Sequence, residues 1–80
     1  MVRFYMNNET GELLTEQASK KGFTITLLDG RKNNYPDVKF IKQEPDGLII
    51  VFEDLFAIRY NLIKEFVNLE TGEKFVVVQD

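Results

Sequence analysis

Catalysis by side chains needs bases, nucleophiles or metal ligands that converge, and this chain supplies carboxylates and amines but no histidine and no cysteine. The usual general base, the thiolate nucleophile and the usual zinc ligands are therefore missing. The five glycines stand singly at turn positions rather than in a loop that could cradle phosphate. The most tempting couple is Glu53-Asp54, which could bind a magnesium ion or share a proton. Adjacent residues of a strand point to opposite faces, however, so the pair reads better as the polar stop of the strand before it. The expectation is a non-enzyme with no catalytic residue, no bound metal and no cofactor.

What remains is binding chemistry, and here the charges divide along the chain. Residues 1–43 carry seven bases and five acids, whereas residues 44–80 carry three bases and eight acids, giving balances of +2 and −5. The acidic candidates are Glu44, Asp46, Glu53, Asp54, Glu65, Glu70 and Glu73. Glu44 and Asp46 fall at the turn end of a hairpin, and Glu53 and Asp54 at its other end. Carboxylates spread over a rigid sheet can imitate a row of phosphates and steer a basic protein toward them. The basic candidates are Lys20, Lys21, Arg31 and Lys32, with Lys39 and Lys42 further on. They have little aromatic interleaving beyond Tyr35, and a net charge of −3 is unlike the strongly basic domains that track nucleic-acid backbones.

The elements that must position these groups are short strands. Eighty residues make one domain, spanning 1–80, whose burial margin is thin at this size. Without disulfides or zinc, apolar packing or a partner must hold it, so a homodimer or small homo-oligomer is expected. The sequence Glu9-Thr10-Gly11-Glu12 recurs as Glu70-Thr71-Gly72-Glu73, and both read as hairpin turns, the first after a strand near residues 2–6. Thr15 to Gly22 reads as a short helix, capped by Thr15 and terminated by Gly22. Strands follow at 23–27 and 35–44, separated by an Asp29-Gly30 turn and a polar loop over 31–34, with Val38 and Phe40 facing inward. Pro45-Asp46-Gly47 turns the chain into Leu48–Phe52, which is apolar on both faces and so reads as a central, doubly covered strand. A strand around Phe56–Tyr60 and a hairpin of 63–68 with 74–78 complete the chain. The fold class is mostly β with a minor helical part: a small, strongly bent antiparallel sheet or barrel with one short helix.

Residues 15–67 resemble the Sm-like and SH3-like small barrels, in which a short helix precedes a strongly bent antiparallel barrel. Leu28-Asp29-Gly30, followed by Val38 and Phe40, is similar to the first Sm motif, and Ile58-Arg59-Tyr60-Asn61 to the second. Tyr60 stands where the family has glycine. The resemblance implies an RNA- or DNA-binding barrel with Arg59 and Asn61 near its binding rim, beside Lys20, Lys21, Arg31 and Lys32. In style the chain is also similar to the short accessory proteins of bacteriophages, which implies a host-takeover role in the host cytoplasm.

Two classes of function stay open on these residues. The first is a small acidic regulator or inhibitor that binds a basic nucleic-acid-binding protein, as a DNA mimic does. The second is the Sm-like barrel binding nucleic acid directly, with a structural or assembly subunit as a further alternative. The longest apolar stretch, Leu48–Phe52, is too short to span a bilayer, and the first nine residues lack the apolar core of a signal peptide. A cytoplasmic protein that makes no membrane contact is the expectation.

Overall fold

The chain forms nine strands in the computed structural model, which describes residues 2–78. They are β1 (Tyr5–Asn7), β2 (Glu16–Ala18), β3 (Phe23–Leu27), β4 (Lys32–Tyr35), β5 (Val38–Glu44), β6 (Gly47–Phe52), β7 (Ala57–Tyr60), β8 (Ile63–Asn68) and β9 (Lys74–Val77). Every pairing is antiparallel. They form a five-stranded sheet in the order β1-β9-β8-β3-β4 and a four-stranded sheet in the order β2-β5-β6-β7. The mostly-β expectation holds, but the sheets do not close into a barrel: β1 and β4 end one, β2 and β7 the other.

The short helix expected over Thr15–Gly22 is absent; no helix occurs among the described residues, so none is long and apolar enough to cross a membrane. Instead Glu16, Gln17 and Ala18 pair with Lys42, Ile41 and Phe40 of β5. The reason is burial. Between Thr15 and Gly22 only Ala18 is apolar, so a helix of this length would have no face to pack and is marginal alone. The open edge of β5 satisfies the backbone directly, and the Gln43 and Ser19 amides, bonded to the Thr15 and Lys39 carbonyls, extend the pairing. Gly22 does adopt the left-handed conformation expected of it, at φ 90°, but it closes a turn tucked against Tyr35 and Pro36.

Two further expectations shift for local reasons. The polar stretch 32–34 is strand, pairing Lys32, Asn33 and Asn34 with Thr26, Ile25 and Thr24, and a 2.7 Å hydrogen bond links the Thr24 hydroxyl to the Asn34 side chain. An edge strand facing water needs no apolar alternation, and polar side chains protect it from unwanted pairing. The expected strand over 35–44 breaks at Pro36-Asp37, because proline cannot donate to a ladder. The register then slips between Val38 and Phe40, so Val38 and Ile41 are buried while Phe40 is only half-buried. Strand β6 lies between β5 and β7 as expected, yet of its apolar side chains only Leu48 and Ile50 are fully buried; Ile49 and Val51 are half-covered.

The core lies between the sheets. Tyr5, Phe23, Ile25, Ile63, Phe66 and Phe75 come from one sheet, and Val38, Ile41, Leu48 and Ile50 from the other. Burial pushes the Tyr5 phenol up to about 12 against the opposing pull of nearby Arg3, and its hydroxyl donates to the Ile63 carbonyl. The folded state favours the neutral phenol. Its contribution is therefore intact below the ordinary tyrosine value of 10.0 and is lost as pH rises through about 12. Chemical denaturation at stepped pH should show wild-type stability falling across that window more steeply than Tyr5→Phe, which forgoes about 1 kcal/mol at neutral pH.

The repeated turn is larger than four residues. Asn7 and Asn68 each open it, accepting hydrogen bonds from Glu9 and Thr10 and from Glu70 and Thr71. Thr10 and Thr71 accept from the Glu12 and Glu73 amides, while Gly11 (φ 76°) and Gly72 (φ 81°) bond back to the asparagine carbonyls. Only the second copy ties the sheets: the Asn68 amide donates to Gln17 Oε1 at 2.8 Å and to the Ala18 carbonyl at 3.0 Å, with no solvent exposure. Asn7 donates instead to the Glu73 carboxylate. Asn68→Ala removes a fully buried amide and leaves the half-buried Gln17 oxygen and the Ala18 carbonyl without their donor, and should cost about 2–3 kcal/mol, whereas Asn7→Ala should cost about 1. Urea denaturation of the two variants checks the difference.

Candidate functional site

The hairpin of β6 and β7 is joined by a turn made of residues that do not usually make turns. Turns favour glycine, asparagine, aspartate, proline and serine. Here Asp54 alone conforms, its carboxylate accepting the Phe56 amide at 3.1 Å. The Leu55 amide bonds to the Phe52 carbonyl at 2.9 Å, and the Phe52 amide to the Phe56 carbonyl at 2.7 Å. This closure forces Leu55 to φ 69°, the one left-handed residue other than glycine among those described. For a leucine that conformation costs roughly 1–2 kcal/mol. Leu55 is also 84% exposed and Phe56 58% exposed. A strained, apolar and solvent-facing tip is maintained at the expense of stability, and such outliers concentrate where contacts with other molecules are made.

The charged residues that line the hollow beside the tip are all acidic. That hollow, of about 420 Å³, is lined by Asp37, Phe52, Glu53, Asp54 and Phe56. Asp37 arrives from the corner between β4 and β5, held by the Glu53 amide donating to its carbonyl at 2.8 Å. The Phe52 and Phe56 rings lie 5.7 Å apart at 45°, so Phe56 rests on a side chain rooted in the sheet. Among the described residues the ion pairs are Arg31–Asp29, Lys42–Glu44, Arg59–Asp46 and Lys74–Glu65, so none neutralises Asp37, Glu53 or Asp54. No group of three carboxylates there is placed to hold a metal ion. The arrangement is an apolar knob in an acidic collar, suited to an apolar recess with a basic rim.

The seven acids named from the sequence do not form one face. Glu44 pairs with Lys42 at 3.4 Å, Asp46 with Arg59 at 3.2 Å, and Glu65 with Lys74 at 3.3 Å. The Glu70 carboxylate accepts the Lys20 amide at 2.9 Å, and that of Glu73 accepts from Asn7 at 3.1 Å. Five of the seven are thus tied to partners away from the tip, and only Glu53 and Asp54 come together there. The basic candidates are dispersed as well. Lys20 and Lys21 sit in the turn after β2. Arg31 is bound to Asp29 at 2.7 Å, and its amide, then its guanidinium, hold the Asp29 carboxyl below the usual carboxylate range. Lys32 lies on edge strand β4, and Arg59 is paired across to the β5–β6 turn. Asn61 packs against Gly47, where a side chain would collide with it. Sequence reasoning missed Asp37, Leu55 and Phe56; the available signal was leucine and phenylalanine at turn positions.

A second feature adjoins the first and shares Phe52 with it. The edges β4 and β7 do not meet, and between them opens a cleft of about 240 Å³. Ile25, Leu27, Tyr35 and Ile63 line it from one sheet; Val38, Ile50, Phe52, Ile58 and Tyr60 line it from the other. Its only polar side-chain atoms are two tyrosine hydroxyls. In comparison with known proteins, no family model, no curated protein and no solved structure matches this chain.

Proposed function

We propose that this protein is a non-enzymatic binding module whose partner is a basic protein, engaged through the Leu55–Phe56 tip and its collar of Asp37, Glu53 and Asp54. The observation that supports this reading best is Leu55 itself, an exposed apolar residue in a costly conformation. Interfaces draw their energy from a few apolar anchors, while surrounding charge steers the encounter and selects the partner. In its sharpest form the module is a small acidic regulator or inhibitor of a nucleic-acid-binding protein, presenting carboxylates where that partner expects phosphates. Five of the seven acidic residues being engaged elsewhere narrows the contact from half the surface to one hairpin end.

The test is competition. A partner retained from host lysate on the immobilised protein should be released by duplex DNA, and the protein itself should bind no oligonucleotide at physiological salt. Asp37→Asn, Glu53→Gln and Asp54→Asn together should slow association, and added salt should slow wild type toward the same rate, since charge is screened over about 8–10 Å. Oligonucleotide binding abolished by replacing Lys20, Lys21, Arg31 and Lys32 would assign the partner to nucleic acid instead.

A further inference from the structure

We propose that the cleft between β4 and β7 is a binding site for a small, uncharged, hydrocarbon-rich molecule. At about 240 Å³ it exceeds the cavity of about 150 Å³ that suffices for benzene in an engineered protein. Water is poorly held there, because a buried water needs two to four polar partners and the walls offer only the Tyr35 and Tyr60 hydroxyls. The walls carry no charged side chain, which argues against an ionic ligand body. Leu27 and Tyr60 also border a smaller depression of about 130 Å³ that is lined by Arg31 and Asp29. Those two neutralise one another at 2.7 Å, so a ligand head group there meets hydrogen-bonding capacity without net charge. An alcohol, amide or ester end fits that mouth better than a carboxylate. An added protein strand is disfavoured by the exposed polar edge Lys32-Asn33-Asn34 on β4. The cleft shares Phe52 with the hollow beside the tip but is not lined by Leu55 or Phe56, so this proposal does not rest on the tip.

Straight-chain alcohols from butanol to dodecanol, titrated into the protein with isotope-labelled isoleucine methyls, provide the test. Saturable shifts should centre on Ile25, Ile50, Ile58 and Ile63. Affinity should rise about fourfold with each added methylene and then level off once the cleft is full. The matching carboxylates should bind more weakly. Ile58→Trp, which fills the space from an edge strand, should reduce alcohol affinity at least about tenfold at unchanged or higher Tm, by removing the apolar volume available. Should that variant fail to fold, the wild-type chain-length series decides alone. Leu55→Gly should bind the alcohols as wild type does, which separates this site from the tip. The proposal is overturned by three results: no saturable shift, affinity that climbs with chain length without a break, or cleft methyls that respond to protein concentration because a second copy occupies the space.

Discussion

Phe66→Ala should leave the protein close to unfolding at room temperature. Phe66 is 1% exposed and stands where three rings meet: Phe75 stacked at 5.2 Å, Phe23 edge-on at 5.7 Å and Tyr5 tilted at 6.1 Å. These neighbours come from β9, β3 and β1, and all four residues belong to the same sheet, so removing the ring loosens the inner face of that sheet from edge to interior. Truncating a buried phenylalanine costs about 3–5 kcal/mol, through lost transfer energy and the cavity left behind. Domains have only about 5–15 kcal/mol in total, and one of this length belongs at the lower end. The urea midpoint should fall by more than half. A loss below about 1 kcal/mol would mean that the ring cluster does not hold the sheet together.

The strands that carry Phe23, Phe66 and Phe75 were legible in the sequence, whereas the meeting of their rings was not. Phe23, Ile25 and Leu27 alternate cleanly, and the hairpin of 63–68 with 74–77 is marked by its Thr-Gly turn. What escaped was whatever depended on partners distant in sequence. Glu16–Ala18 has no strand pattern of its own and is drawn into the sheet by the open edge of β5. Lys32–Asn34 looks like loop because its residues are all polar, and it pairs because β3 needs a neighbour on that side. The inward phase of β5 shifts at a bulge that no local residue announces. For the site, charge could be counted but not placed: the acids of 44–80 balance to −5, yet ion pairs and turn bonds remove most of them from contention. The tip was readable only as an anomaly, apolar residues where a turn was required.

Leu55→Gly should raise stability and weaken binding. Glycine adopts φ near 69° without the steric cost that leucine incurs there, and an exposed side chain loses no core contact on removal. The folded state should gain about 1 kcal/mol, reduced by the extra freedom glycine gives the unfolded chain. Burying the leucine against a partner is worth about 1.5–3 kcal/mol, so its loss should weaken binding by about tenfold to a hundredfold. Adding Phe56→Ser should take the loss beyond a hundredfold, since paired anchors commonly exceed about 2 kcal/mol each. Opposite movement of Tm and affinity is the signature of a residue retained for contact rather than for folding. If Leu55→Gly lowers Tm, the leucine supports the fold, and its exposure carries no functional meaning.

The most direct measurement is the affinity of the DNA-releasable partner for three immobilised proteins: wild type, Leu55→Gly and the neutralised Asp37→Asn/Glu53→Gln/Asp54→Asn variant. The acidic collar and apolar knob make separate contributions, so the two variants should fail differently. The neutralised protein should associate about tenfold or more slowly at low salt and approach wild-type rates at high salt, because steering is electrostatic. Leu55→Gly should associate at nearly the wild-type rate and dissociate much faster at every salt concentration. If both variants bind and release the partner as wild type does, the β6–β7 tip is not the contact, and the account of this protein as a module that docks through it is wrong.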